Sequence, residues 1–135
     1  MRLIDANIFI YGAGRPHPLR VPSNRVLEAV GSGDLDGNTD VEVLQEILNY
    51  YHRNNQLDYG RQVFHNALNL FPDAIEIAVS TMRLAEQVLT RHPGLEARDA
   101  VHAAVVLEQG LEGIVSADRG FDGIPGVTRF DPLEL

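Results

Sequence analysis

Short stretches of β character alternate along this chain with longer stretches of helical periodicity, and that alternation limits the fold more than any other feature. RLI at 2–4, GNT at 37–39, AIEIAV at 74–79, GIVS at 113–116 and VTRF at 127–130 read as strands. The apolar residues after RLI continue to Tyr11, so this first strand is expected to run on into a turn. Helices are expected at 23–31, 41–54, 56–71, 80–91 and 96–109. Ser23 and Ser80 are expected N-caps, and Thr39 with Glu42 has capping-box spacing. Leu44, Ile47, Leu48 and Tyr51 make an apolar stripe, as do Val63, Phe64, Ala67, Leu68 and Phe71, after which Pro72 stops the helix. Strand–helix alternation of this kind calls for a mainly parallel sheet, and right-handed crossovers place helices on both of its faces. The expected fold is therefore α/β, a three-layer α/β/α sandwich around a four- or five-stranded sheet.

The chain has 135 residues, of which 44% are hydrophobic and 22% charged, enough for one globular domain over 1–135. It has no cysteine, which removes disulfides, thiolate metal sites and cysteine nucleophiles together. No apolar run approaches the roughly 18–20 residues of a membrane span. The first residues reach Asp5 too soon for a signal peptide, so a cytoplasmic location is expected. The formal charge is −8, and all eleven basic residues are Arg. Such a chain does not attract polyanions by its average field; handling nucleic acid would require local Arg clusters, bridging cations or a basic partner.

In a parallel sheet, ligands bind outside the carboxyl ends of the strands. Asp5 follows the first strand, and Asp118 in SADRGFD follows the short strand at 113–116. A helix that follows a strand starts at that same edge, which brings Glu42 and Glu46 there; the break HPGLEARD could return the chain so that Asp99 lies in a first turn at the edge. Any one of these residues could equally be a helix cap or turn former. As a set, Asp5, Glu46, Asp99 and Asp118 would repel one another, and some would have to take up protons unless a cation joined them. A hard divalent ion, Mg²⁺ or Mn²⁺, suits an all-oxygen donor set. Asn7 would then steady Asp5 or a water on the ion.

LIDANIFIY, VEVLQEILNYY, EARDAVHAAV and IVSADRGFDGIPGV, in that order, resemble the PIN-domain family, and within it the VapC-type toxins of bacterial toxin–antitoxin pairs. The resemblance runs from residue 2 to about residue 130 and implies a Mg²⁺- or Mn²⁺-dependent ribonuclease on an α/β/α sandwich. It places the family's four acidic positions on Asp5, Glu46, Asp99 and Asp118, with Asp122 as an additional acidic position. Asn7 and Thr39 match polar companions of the first and second acids. Glu42 competes with Glu46, although the apolar pair Ile47–Leu48 favours Glu46; Asp122 competes with Asp118, although the spacing favours Asp118. The resemblance also implies a homodimer and an antitoxin whose segment covers the active site; a basic antitoxin side chain entering the acidic pocket would be electrostatically sensible.

Arg15, Arg20, Arg98 and Arg119 lie in loops or helix starts from which they could hold phosphate, and Tyr11 and His17 could stack on bases. His102 stands one helical turn after Asp99; a hydrogen-bonded structural role beside the apolar face is expected for it. The helix pair 41–54 and 56–71 displays Tyr50, Tyr51, Tyr59, Val63, Phe64, Leu70 and Phe71, more apolar surface than one stripe requires, which suggests a groove or dimer face. Two other functions fit an acidic strand edge. One is a different Mg²⁺-dependent phosphoesterase or phosphatase, against which DANIF lacks the second Asp of the D-x-D nucleophile pattern of haloacid-dehalogenase-type enzymes. The other is a non-catalytic binding module that keeps the fold.

Overall fold

A computed structural model describes all of residues 1–135. Its sheet holds four strands, β1 (Arg2–Ile4), β2 (Gly37–Asn38), β3 (Gly113–Val115) and β4 (Arg129–Phe130), in the order β2-β1-β3-β4. Every pairing is parallel, and Leu3 lies opposite Asn38 on one side and Ile114 on the other. Six α-helices complete the chain: α1 (Ala6–Gly12), α2 (Arg20–Ser32), α3 (Val41–Arg53), α4 (Leu57–Leu70), α5 (Val79–Arg91) and α6 (Ala97–Gln109). A 3₁₀ turn spans Arg119–Gly123.

The strand period of two divides the core between the two faces of the sheet. Leu3 and Ile114 point into one cluster, with Ala85 and Val88 of α5, the inner face of α6 and Phe121. Their neighbours Ile4 and Val115 point into the other, with Ile8, Phe9, Val26, Val43, Ile47 and Val63 from α1 to α4. These two clusters with the sheet between them are the expected α/β/α sandwich. α6 is buried for most of its circumference, from Ala100 through Val106, which explains its Ala- and Val-rich sequence.

The expected elements differ from the observed ones in five places. The first strand stops at Ile4, and the apolar run to Gly12 is helix α1, not an extended strand. Asp5 makes the change: its Oδ1 accepts from the Ala6 N–H at 2.7 Å and starts the helix. The second helix begins at Arg20 rather than at a Ser23 cap, because Pro22 sits in its first turn, where a missing N–H costs nothing; Ser23 is fully buried. Asp40, not Thr39, caps α3, its Oδ1 accepting from Val43 N at 2.9 Å, while Thr39 Oγ1 donates to the Ile4 carbonyl at 3.0 Å and ties β2 to β1. AIEIAV forms one bridge, Ile75 with Asp40, instead of a strand. The chain beside it turns into α3 at Val41 and leaves no further partner, so the half-buried Ile75 and Ile77 pack on the α5–α6 cluster instead. α5 then starts at Val79, one residue before the expected Ser80 cap, and the Ala78 N–H donates to Thr81 Oγ1 at 3.1 Å.

Candidate metal centre

Asp5 lies at the carboxyl end of the central strand β1 and is 4% exposed. Each of its oxygens is held. Oδ1 caps α1, and Oδ2 accepts from Ser116 Oγ at 2.6 Å and from Asn7 Nδ2 at 3.1 Å. Asn7 Nδ2 also donates to Ser116 Oγ at 3.0 Å, and Asn7 Oδ1 accepts from Ala117 N at 3.3 Å. The amide thus joins the end of β1 to the end of β3, and Asn7 is the companion of Asp5 that the sequence suggested. Ser116 Oγ further accepts from Asp118 N at 3.0 Å, and Asp118 caps the 3₁₀ turn through Gly120 N at 2.8 Å.

A cavity of about 320 Å³ opens over this edge. Asp5, Glu46, Asp99 and Asp118 all line it, together with Asn7, Asn49, Arg53 and Arg98. Four acids drawn from β1, α3, α6 and the loop after β3 therefore meet at one place. Glu42 and Asp122 do not line the cavity. Asp122 instead pairs with Arg129, Oδ1 accepting from Nε at 2.8 Å, which holds its carboxyl below the usual range. Thr39 acts on the strand end rather than on the cavity. Of the four arginines expected near RNA, Arg98 lines the cavity, paired with Glu46 at 3.2 Å and Glu96 at 2.6 Å, whereas Arg15, Arg20 and Arg119 do not.

Beneath the acids lies His102, fully buried. Its Nδ1 donates to Asp40 Oδ2 at 2.7 Å and its Nε2 donates to Glu46 Oε2 at 2.5 Å, with Asp5 Oδ1 at 3.8 Å. Burial alone would push the imidazole toward neutrality, but Asp40, Glu46 and Asp5 outweigh it and hold its pKa well above the ordinary value. His102 is therefore an imidazolium with both nitrogens committed, a counter-charge and a support for Glu46. The carboxylates facing the cavity are left under tension. Burial raises the Asp5 pKa, and burial followed by repulsion from Asp5 and Asp118 raises Asp99 to about 7. Ligand atoms of Asp5, Glu46 and His102 fall within 4.8 Å of one another. With the imidazole nitrogens occupied, the free donors are all carboxylate oxygens, a set that fits a hard divalent cation.

Sequence reasoning missed Asp40, Ser116, Asn49 and Arg53. A signal for the last two was present: Glu46, Asn49, Tyr50 and Arg53 stand at i, i+3, i+4 and i+7, one face of α3. The site roles of Ser116 and Asp40 carried no local signal, because Asp5 and His102, the partners that draw them into the site, lie 111 and 62 residues away.

The architecture is a parallel α/β/α sandwich that gathers acids at the carboxyl ends of its central strands, a cluster that could hold a divalent cation. Residues 2–127 match the PIN domain, and the chain belongs to the PIN-domain family. It is 35% identical to ribonuclease VapC13 of Mycobacterium tuberculosis over 129 residues, which cover 96% of this chain and 98% of that one. It is 33% identical to ribonuclease VapC23 of the same species over 122 residues, covering 88% and 94% of the two chains. In fold it is similar to a toxin–antitoxin complex from Klebsiella pneumoniae (TM-score 0.69, 22% identity, all of both chains). It is similar also to VapBC2 from Rickettsia felis bound to a promoter DNA fragment (TM-score 0.71, 12% identity, 96% and 98% of the two chains).

Proposed function

We infer that this chain is an endoribonuclease dependent on Mg²⁺ or Mn²⁺, the toxin of a VapBC-type pair. The observation that carries the reading is the meeting of Asp5, Glu46, Asp99 and Asp118 in one cavity at the strand ends. The ribonuclease names of relatives that match over nearly the whole chain support RNA as the substrate. The toxin–antitoxin complexes among its structural neighbours support an antitoxin partner, to which a basic side chain entering the acidic cavity would be complementary. A homodimer is the expected assembly.

Asp5, Asp99, Asp118 and Glu46 would hold the cation, which when bound supplies a water of lowered pKa and offsets charge on the scissile phosphate. The chain's own groups do the rest. Ser116, Asn7 and the Ala6 N–H clamp both oxygens of Asp5. His102 holds Oε2 of Glu46 and Arg98 pairs with its Oε1. Arg53, on the rim with no carboxylate partner within ion-pair distance, is free to meet a phosphate of the substrate strand. All of this positioning is complete before substrate arrives.

Incubation with total cellular RNA tests the reading. Wild-type protein is expected to cleave with Mg²⁺ or Mn²⁺ and to stop on addition of EDTA. The Asp5→Asn protein is expected to stay folded and lose activity by about 10²-fold or more. Cleavage that survives EDTA, or full activity in folded Asp5→Asn, refutes it. Hydrolysis of small phosphate esters without RNA cleavage would turn the reading toward a phosphatase.

A further inference from the structure

Asp40 is a fully buried carboxylate that does not line the acidic cavity. As the cap of α3 it needs one oxygen, and Oδ1 accepts from Val43 N at 2.9 Å. A Ser in its place would cap the helix as well and would bury no charge. The second oxygen is what sets the carboxylate apart. Oδ2 accepts from His102 Nδ1 at 2.7 Å, and no other cationic group lies within ion-pair distance of Asp40. The far nitrogen of the same ring, Nε2, donates to Glu46 Oε2 at 2.5 Å. Asp40 and Glu46 belong to the same end of α3, one at its cap and the other in its second turn. His102 comes from α6, one turn after Asp99. Three side chains thus run in a line from the core to the cavity, and they tie the helix that carries Glu46 to the helix that carries Asp99.

We propose that Asp40 is a positioning residue of the metal centre: by holding the Nδ1 side of His102 it fixes the ring whose Nε2 side sets the place of the Glu46 carboxylate. The inference rests on the reading of the cavity as a metal centre and extends it to a residue that never reaches the cavity. The ring torsion of a histidine is broad, so an imidazole held at one nitrogen alone can still turn. Held at both, it cannot, and the partner at Nδ1 decides what Nε2 presents to its neighbour. Glu46 depends on such a hold. Its other oxygen, Oε1, meets Arg98, whose side chain is 41% exposed and is drawn also to Glu96 at 2.6 Å. Only the contact with the fully buried His102 is shielded from water. The make-up of the line points the same way. Taking a carboxylate and an imidazolium out of water opposes folding, and apolar side chains with a Ser cap would join α3 to α6 at least as well. What they would not supply is a donor aimed at Glu46.

The test measures Mn²⁺ affinity by titration calorimetry in wild type, Asp40→Ser, Glu46→Gln and the double variant, with circular dichroism to follow the fold. Asp40→Ser keeps the cap of α3 and cuts the contact with His102. It is expected to weaken Mn²⁺ binding about tenfold or more. In the Glu46→Gln background the same substitution should change affinity by less than about twofold, because the group it acts on is gone. A merely structural role would lower affinity equally in both backgrounds, and that outcome overturns the proposal. Wild-type affinity in Asp40→Ser overturns it too. A second measurement needs no variant and decides by itself if Asp40→Ser fails to fold or Glu46→Gln binds too weakly to read. His102 alone among the five histidines is buried, so its ring N–H protons exchange slowly with water and can be followed by NMR in wild type with isotope-labelled histidine. Both are expected to stay far downfield when Mg²⁺ is added. Loss of the Nε2–H signal would show that Glu46 leaves His102 as the ion binds, and overturns the proposal while leaving the metal-centre reading intact. No Mn²⁺ binding by wild type overturns both.

Discussion

Asp99 is the carboxylate whose surroundings most oppose its charge. Burial, then Asp5 and Asp118, raise its pKa to about 7, so near neutral pH and without a cation it is half protonated. Function and stability then pull against each other at this residue. Asp99→Asn removes the repulsion and keeps the shape. In EDTA at pH 8 its melting temperature is expected to rise above wild type, while the rise that Mn²⁺ gives the wild type disappears. A lower melting temperature in EDTA would show that the Asp99 carboxylate is a structural acceptor instead. His102 is the opposite case, a charge whose removal damages the fold. His102→Ala leaves the fully buried Asp40 and the cavity-lining Glu46 without their shared donor. Breaking a buried ion pair from one side costs about 3–5 kcal/mol, and urea unfolding should show a loss of that size. A loss under about 1 kcal/mol would mean that the histidine is neutral and its acids are supported elsewhere.

At the scale of elements, the α3–α4 hairpin depends on one small residue. A Cβ at Gly60 would stand 2.3 Å from Tyr51 Cβ, an atom too close to the α3 backbone to swing away. Gly60→Ala is therefore expected to cost about 1–3 kcal/mol despite the better helix propensity of Ala, read as a lower denaturation midpoint at unchanged slope. Because α3 carries Glu46 and Tyr50, cleavage should fall with it. The helices of this hairpin were legible in the sequence, as was α6, because each repeats an apolar face over three turns or more. α1 was not: Ile8, Phe9 and Ile10 are apolar on every side, and only the Asp5 cap separates helix from strand. AIEIAV failed for the converse reason, since alternation shows strand character but not whether a neighbouring edge is free to pair. The gathering of Asp5, Glu46, Asp99 and Asp118 was legible because the edge of a parallel sheet is set by topology alone. The ion pair that removes Asp122 from that edge depends on where Arg129 comes to rest, which no local pattern records.

For the molecule as a whole, the acidic centre sets how stability varies with pH. Asp5 and Asp99 have raised pKa values in the fold, chiefly through burial, and His102 has a raised value through its three carboxylates against the pull of burial. Each of these groups binds more protons folded than unfolded, so each contributes stability that is full below its unfolded pKa and is lost as pH rises through the folded one. For Asp99 the loss runs from its ordinary 3.8 up through about 7, and for His102 it begins at 6.5 and continues above. Asp122, held low by Arg129, has the opposite sign but acts only below 3.8. Between about pH 5 and pH 8 the cation-free protein should therefore lose stability steadily. A divalent cation competes with those protons for the same oxygens and binds the folded chain alone, so it should stabilise more at high pH than at low. Melting curves at pH 5.5 and pH 8, with EDTA and with Mn²⁺, are expected to show a falling melting temperature in EDTA and a larger Mn²⁺ gain at pH 8. A gain equal at both values would mean that the ion binds groups already ionised at pH 5.5, and so away from Asp99.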